Sequence, residues 1–467
     1  LTHPSALRRL PAAFLDDLRA LLGARLSLAE TVRAQHGRDE SRFAPQLPDA
    51  VAFADSTEEV SRILELCARE RVPLVPWGAG SSVEGQLIPV RGGVCLDLSG
   101  LNQVIAVREA ELTATVQAGV TRKQLNEALK GTGLFFPIDP GADASIGGMC
   151  ATRASGTAAV RYGTMRENVL GLTVVTASGA VLRQTSRARK SAAGYDLRSL
   201  FIGSEGTLGV ITEVTVKLHP VPEAMAAAVA NFDSLAAAVD TVIQALQLGV
   251  PVARSEYLDA ANIRAINAYS KTKLREADAL FFEFHGSPAA VEEHARVVQE
   301  LAAANGGRDF EWALRPEDRS RLWEARHSAF FALLQTRPGC RAVLTDTCVP
   351  ISRLAECITA ARSLLDASAL PTAIGGHVGD GNFHCAILVD ADSAAEVEEA
   401  EALNDRIVKL AQSMDGTCSG EHGVGLHKMH YLAGEVGETG LDLMRQIKHA
   451  LDPLGILNPG KTIVEQQ

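Results

Sequence analysis

The stretch Pro76-Trp77-Gly78-Ala79-Gly80-Ser81-Ser82-Val83-Glu84-Gly85 follows directly on an apolar run of strand character, Pro73-Leu74-Val75-Pro76. Glycines at 78, 80 and 85 let successive backbone N–H groups converge on an anion, and the Ser81 and Ser82 hydroxyls add donors, which suits a pyrophosphate. Taken alone, the spacing matches neither a Rossmann fingerprint nor a Walker loop, and a plain tight turn reads it equally well.

What surrounds the stretch narrows the reading. Upstream, Ser56 and Glu59 predict a capping box, followed by Val60, Ile63, Leu64 and Cys67 at helical spacing. Downstream, Val94, Leu96 and Leu98 alternate as in a strand, as do Leu112, Ala114 and Val116, and Thr121 with Gln124 opens a second capped helix reaching residue 130. Two more glycine runs follow. One goes from Pro137-Ile138-Asp139-Pro140-Gly141 through Ser145-Ile146-Gly147-Gly148-Met149 to Thr152, Ser155, Gly156 and Tyr162-Gly163; the other is Gly203-Ser204-Glu205-Gly206-Thr207-Leu208-Gly209-Val210-Ile211-Thr212. Helices alternating with short strands predict an α+β domain up to Pro222.

After Pro220 and Pro222 the texture changes. Ala-rich stretches at 223–247, 288–304 and 352–367 predict helices, with strand-like runs at 280–284 and 342–345 between them, so a second domain starts here. Ser393 and Glu396 predict another capping box, opening a charged amphipathic helix to Met414 that ends at Gly416.

A chain of 467 residues is too long for one ordinary core, and 46% apolar with 22% charged residues is a soluble globular composition. The 45 basic and 56 acidic side chains leave a net charge of −11, which argues against nucleic acid, whose phosphates demand a basic face. The eight cysteines form no Cys-x-x-Cys pair, so no thiolate zinc site, iron–sulfur pattern or redox motif is indicated, and a reducing compartment is expected. No window approaches the roughly 18 apolar residues of a spanning helix, and no apolar signal core opens the chain. Numbering from Leu1 is compatible with an upstream targeting segment.

The chemistry is concentrated in Gly375-Gly376-His377-Val378-Gly379-Asp380-Gly381-Asn382-Phe383-His384 and Ser419-Gly420-Glu421-His422-Gly423-Val424-Gly425. Histidines seven apart would point to opposite faces of an extended strand, so a bend must bring them together, and the glycines permit it. A lone histidine pair is more often structural than ligating. The glycine density and the later Glu421-His422 pair favour a metal-assisted reaction, in which imidazoles and a carboxylate ligate and a further histidine takes a proton. The competing reading is a purely structural site with His422 beside it.

These ordered motifs resemble the flavoprotein family of vanillyl-alcohol oxidase and p-cresol methylhydroxylase, in its D-lactate dehydrogenase and glycolate oxidase branch, from about residue 46 to 463. The resemblance implies an α+β, two-domain flavoprotein: an N-terminal helical segment (1–45), a p-cresol-methylhydroxylase-type FAD-binding domain (46–222), an α+β substrate-binding cap domain (223–440) and a C-terminal return to the FAD domain (441–467). It implies FAD held by Pro76, Gly78, Ala79, Gly80, Ser81, Ser82, Pro140, Ser145, Gly148, Thr152, Ser155, Gly156, Ile211 and Asn458. Several relatives tether the flavin to a histidine, but none occurs here between His36 and His219, so non-covalent FAD is expected unless Cys150 or another cysteine bonds it.

By the same resemblance His377, His384 and Glu421 hold a divalent metal, zinc or manganese, His422 is the general base and Arg326 meets the substrate carboxylate. The expected reaction is oxidation of D-lactate or a related D-2-hydroxy acid to the 2-keto acid, with hydride passing to flavin N5. The acceptor would be cytochrome c, a quinone or an electron-transfer flavoprotein. A cytoplasmic location, peripheral to the inner membrane, or a mitochondrial one in a eukaryote, goes with this reading, and a homodimer is compatible with it. The alternatives are a D-2-hydroxyglutarate dehydrogenase, the flavin subunit of a glycolate oxidase complex and, further off, an alkyl-dihydroxyacetone phosphate synthase-like transferase. Hydroxyglutarate relatives carry a lysine six residues before the proline matching Pro350. Leu344 stands there, beside Cys340, Thr345 and Cys348, which favours a short or aliphatic tail.

Overall fold

The computed structural model describes residues 10–464. The chain divides into two compact units. The first comprises residues up to Ser155, Gly163–Val221 and everything from Glu421; the second comprises Gly156–Tyr162 and Pro222–Gly420. The return to the first unit therefore begins at Glu421 rather than at residue 441, and residues 156–162 are an unforeseen excursion into the second. Residues 1–9 of the expected N-terminal helical segment lie outside the described residues; within that segment helices span Ala12–Leu22 and Glu30–Gln35.

In the first unit a four-stranded sheet runs in the order Leu26–Ser27, Ala50–Phe53, Val94–Asp97, Leu74–Trp77, the last three parallel. Helix Thr57–Glu70 packs against it because Val60, Ile63, Leu64 and Cys67 recur on one face and are fully buried. The expected capping box at its start is only half formed. Ser56 accepts the Glu59 N–H, but the Glu59 carboxylate accepts the Asp55 N–H and pairs with Arg25. Thr121 and Gln124 do form a full box. An antiparallel five-stranded sheet, Val104–Arg108, Thr113–Gln117, Val210–Lys217, Val169–Val175, Val181–Gln184, completes the unit. The chain end closes onto the outer strand: the Leu74 N–H donates to the Ile456 carbonyl and the Asn458 N–H to the Leu74 carbonyl, both at 2.8 Å.

The second unit is built on an antiparallel sheet ordered Arg308–Ala313, Ala224–Phe232, Asp278–Gly286, Val252–Leu258, Thr372–Gly376, Asn382–Asp390, Cys340–Leu344. One face is covered by helices Leu235–Gln247, Pro288–Ala304, Leu354–Asp366 and Ala394–Gln412, the other by Ala260–Ser270 and Pro316–Gln335. The expected helix over 223–247 is thus two elements, a strand to Phe232 and a helix from Leu235. Alanine favours helices in isolation, but here Ala226, Ala228 and Ala230 pack on one face and Ala227 on the other, and small side chains suit a strand covered on both sides. The Ser393 box also forms by half, because Glu396 is engaged by Arg337 and by the Asp390 N–H. Among the described residues no helix is long and apolar enough to cross a membrane.

Candidate active site

The three glycine runs of the first unit converge on one cleft of about 1290 Å³, part of it open to solvent. Its walls are bare backbone for a steric reason. A Cβ on Gly78 would stand 2.5 Å from Ser145 Oγ, one on Gly80 2.7 Å from the Trp77 ring, and one on Gly148 2.9 Å from Ser145 Oγ. Gly80 also has a positive φ of 76°. Pro76, Gly78, Ala79, Gly80, Ser81, Ser82, Pro140, Ser145, Gly148, Thr152, Ser155, Ile211 and Asn458 all line the cleft, and Gly156 belongs to the second unit. Asn458 arrives there because its amide donates to the Gln86 and Glu205 carbonyls at 3.1 and 2.7 Å. Cys150 is fully buried on helix Ile146–Thr152 and is not among the lining residues.

Glu421 and His422 line the same cleft. Their loop is tied down by two buried carboxylates that the sequence reading passed over. Glu205 accepts the N–H groups of Val424 and Gly425 at 2.6 and 2.8 Å. Burial pushes its carboxyl above the ordinary range, and those N–H groups only partly oppose the rise. Glu84 receives Lys428 Nζ and His427 Nδ1, each at 2.8 Å, and stands 3.5 Å from His422 Nδ1. Burial would raise the Glu84 carboxyl, but Lys428, His422 and His427 outweigh it and hold it well below the carboxylate range. Glu84 therefore favours the proton on Nδ1 of His422 and leaves Nε2 as the basic nitrogen. His422 Nε2 lies 3.8 Å from Glu421 Oε1.

In the second unit the expected bend is present. Strands Thr372–Gly376 and Asn382–Asp390 form a hairpin pairing Gly375 with His384, and the connecting turn brings the His377 and His384 ring centroids to 5.4 Å. Gly381 allows the turn: its φ is 82°, and a Cβ at this position would stand only 2.2 Å from the Val349 carbonyl oxygen. His377 Nδ1 lies 2.6 Å from Glu256 Oε1, and His384 Nδ1 3.1 Å from the Thr345 carbonyl. A carbonyl only accepts and an ionised carboxylate only accepts, so both rings carry their proton on Nδ1 and direct an Nε2 lone pair elsewhere. Two such imidazoles, with ring nitrogens within 4.8 Å of each other, are a donor set that fits a divalent cation. Arg326, on helix Pro316–Gln335, binds the other oxygen of Glu256 through Nε and Nη2, both at 2.7 Å. Burial would raise the Glu256 carboxyl, but His377 and Arg326 together hold it below its ordinary value.

Comparison with known proteins fits this cleft. Residues 221–462 match the family model "FAD linked oxidases, C-terminal domain", and residues 48–185 match "FAD binding domain". The chain is a member of the FAD-linked oxidase family. This FAD-linked oxidase is 49% identical over 441 residues to "Probable D-lactate dehydrogenase, mitochondrial" of Danio rerio, covering 94% of the chain and 89% of the relative. It is 47% identical over 458 residues to "D-lactate dehydrogenase [cytochrome], mitochondrial" of Arabidopsis thaliana, covering 98% and 81%. Its fold matches that of p-cresol methylhydroxylase solved with substrate bound, at a TM-score of 0.80 and 20% identity over 96% of both chains. The expected flavoprotein fold is therefore borne out, and the oxidase has an FAD-binding domain whose cleft is made of the residues the glycine motifs supply.

Sequence reasoning missed Glu84, Glu205 and Glu256. The first two stand inside the quoted glycine motifs, whose local signal is carried by the glycines. Glu256 had a weaker signal, a charged residue flanked by Ser255 and Tyr257 in a strand whose neighbours are buried.

Proposed function

We propose that this enzyme oxidises D-lactate, or a short D-2-hydroxy acid close to it, to the 2-keto acid and passes the electrons to an external acceptor of cytochrome type. The observation that carries the reading is the position of His422, a histidine lining the cleft of the FAD-binding unit with Glu84 at its Nδ1. The two relatives named above, both called D-lactate dehydrogenases, support the substrate class.

Bound FAD supplies the hydride acceptor, and a divalent cation on His377, His384 and Glu421 supplies a Lewis acid toward the substrate hydroxyl. The chain's own residues do the rest. His422 takes the hydroxyl proton at Nε2 while the C2–H bond breaks, so that no free alkoxide accumulates. Glu84 keeps that imidazole in the required tautomer, and Arg326 holds the substrate carboxylate through its guanidinium.

Anaerobic addition of D-lactate to the FAD-loaded protein tests the reading, and bleaching of the visible flavin bands is the expected result. Bleaching should be abolished after chelation, with the oxidised flavin spectrum retained. Flavin that D-lactate leaves fully oxidised in the metal-loaded enzyme would overturn the substrate assignment.

A further inference from the structure

We infer that Glu256 is the positioning residue that sets the spacing between the metal-ligand side and the carboxylate-binding side of the substrate site, by bridging His377 and Arg326. The inference rests on the functional reading above, which makes His377 a ligand and Arg326 the carboxylate partner.

Three separate elements meet at this one side chain. Glu256 is on strand Val252–Leu258, Arg326 on helix Pro316–Gln335, and His377 in the turn after strand Thr372–Gly376. The Glu256 side chain is 0% exposed, with one oxygen 2.6 Å from His377 Nδ1 and the other 2.7 Å from both Arg326 Nε and Nη2. Each of these three contacts is short.

Stability gives little reason for such an arrangement. A carboxylate buried under a helix loses its hydration, and replacing buried ion pairs by apolar groups is often neutral or stabilising. On one side the adjoining surface is apolar: Leu258, on the same face of the same strand, belongs to the cluster that includes Trp323 of the Arg326 helix, while on the other side Arg254 lies over the Trp323 ring. A leucine at 256 would extend that cluster.

The geometry of a 2-hydroxy acid supplies the reason. Its hydroxyl and carboxylate sit on adjacent carbons, so the group polarising one and the guanidinium holding the other must keep one short, fixed separation. A carboxylate with an oxygen committed to each anchor imposes that separation. It also fixes the proton of His377 on Nδ1, which leaves Nε2 the ligand nitrogen.

Glu256→Gln in the FAD-loaded enzyme tests the bridge. Glutamine has one acceptor and one donor. With its oxygen on Arg326 its NH2 group faces His377 Nδ1, which drives the imidazole proton to Nε2 and blocks ligation. The expected outcome is zinc or manganese affinity weakened roughly 10- to 100-fold in competition with a chelator, KM for D-lactate raised about 10-fold or more, and FAD stoichiometry unchanged. Glu256→Asp keeps the acceptors with a shorter reach and should fall between wild type and the glutamine variant on both readouts. His377→Ala is the control for the parent reading: metal retained in that variant would remove His377 as a ligand and the inference with it. Where His377→Ala loses metal but Glu256→Gln keeps wild-type metal affinity and KM, the bridge alone is overturned. Should the glutamine variant fail to fold, the aspartate variant decides, and wild-type values for both quantities would overturn the proposal.

Discussion

The Glu205 carboxylate accepts the backbone N–H of Val424 at 2.6 Å across 219 residues of sequence, tying the third glycine motif to the loop of Glu421 and His422. Its second oxygen takes the Gly425 N–H at 2.8 Å. Glutamine at 205 has a single acceptor, so one of the two N–H groups would face an NH2 group at a buried site, a loss of about 1–3 kcal/mol. Glu205→Gln should therefore slow flavin reduction by D-lactate roughly 10- to 100-fold through a displaced His422, with FAD content unchanged. Stopped-flow reduction at saturating D-lactate measures it. A wild-type rate would mean that the Leu426 N–H bond to the Glu84 carbonyl suffices to hold the loop.

His422→Ala removes the proton acceptor and none of the expected ligands. Flavin and metal should stay bound while the reduction rate falls by roughly 100-fold or more, the scale of a lost general base. Elemental analysis of the variant decides between roles, because metal lost along with activity would make His422 a ligand.

Acid precipitation should release the flavin into the supernatant. No histidine occurs between residues 36 and 219, and the one cysteine of the second glycine run, Cys150, is buried off the cleft with its thiol pushed up by burial. Flavin absorbance that stays in the washed pellet would contradict non-covalent binding and make His422, which lines the cleft, the first residue to test as the tether.

The glycine motifs were legible in advance because close backbone approach admits few residues: at Gly78 and Gly80 any Cβ would collide with Ser145 or Trp77. The bend between His377 and His384 was legible for the same reason. The carboxylates Glu205 and Glu256 were not, since each is defined by partners far along the chain, Val424 and His377, and local spacing carries no trace of them. Capping at Ser56 and Ser393 was half right because Glu59 and Glu396 have stronger partners, Arg25 and Arg337, that lie outside the local motif.

Lys461 makes a pH prediction. Burial lowers its ammonium to about 7, with Asp39 and Glu205 partly offsetting the loss of hydration, and Nζ donates to Asn458 Oδ1 at 2.9 Å. Between about pH 7 and the ordinary lysine value near 10.5 the unfolded chain binds this proton and the folded one does not. Stability from this group therefore rises with pH across that window. Compared with Lys461→Met, the wild type should gain a few kcal/mol in urea unfolding on going from neutral to alkaline pH. Parallel pH profiles for the two proteins would show that Lys461 is charged in the folded state throughout.

Selectivity follows from Leu344. It packs against the apolar cluster on the sheet face covered by the Arg326 helix, and it ends strand Cys340–Leu344. Arg341 is exposed and, three residues earlier on the strand, points to the opposite face, so it is not the partner for a charge near Leu344. A second substrate carboxylate there would lose hydration beside apolar side chains without a compensating cation, at a cost of several kcal/mol. D-lactate and D-2-hydroxybutyrate should thus exceed D-2-hydroxyglutarate by at least about 100-fold in kcat/KM. Leu344→Lys should narrow that gap by improving hydroxyglutarate, chiefly through KM, because the new ammonium binds the distal carboxylate equally in ground and transition states. Similar kcat/KM values for lactate and hydroxyglutarate in the unmodified enzyme would mean that another cation reaches the substrate tail, and the preference for a short 2-hydroxy acid would fall with it.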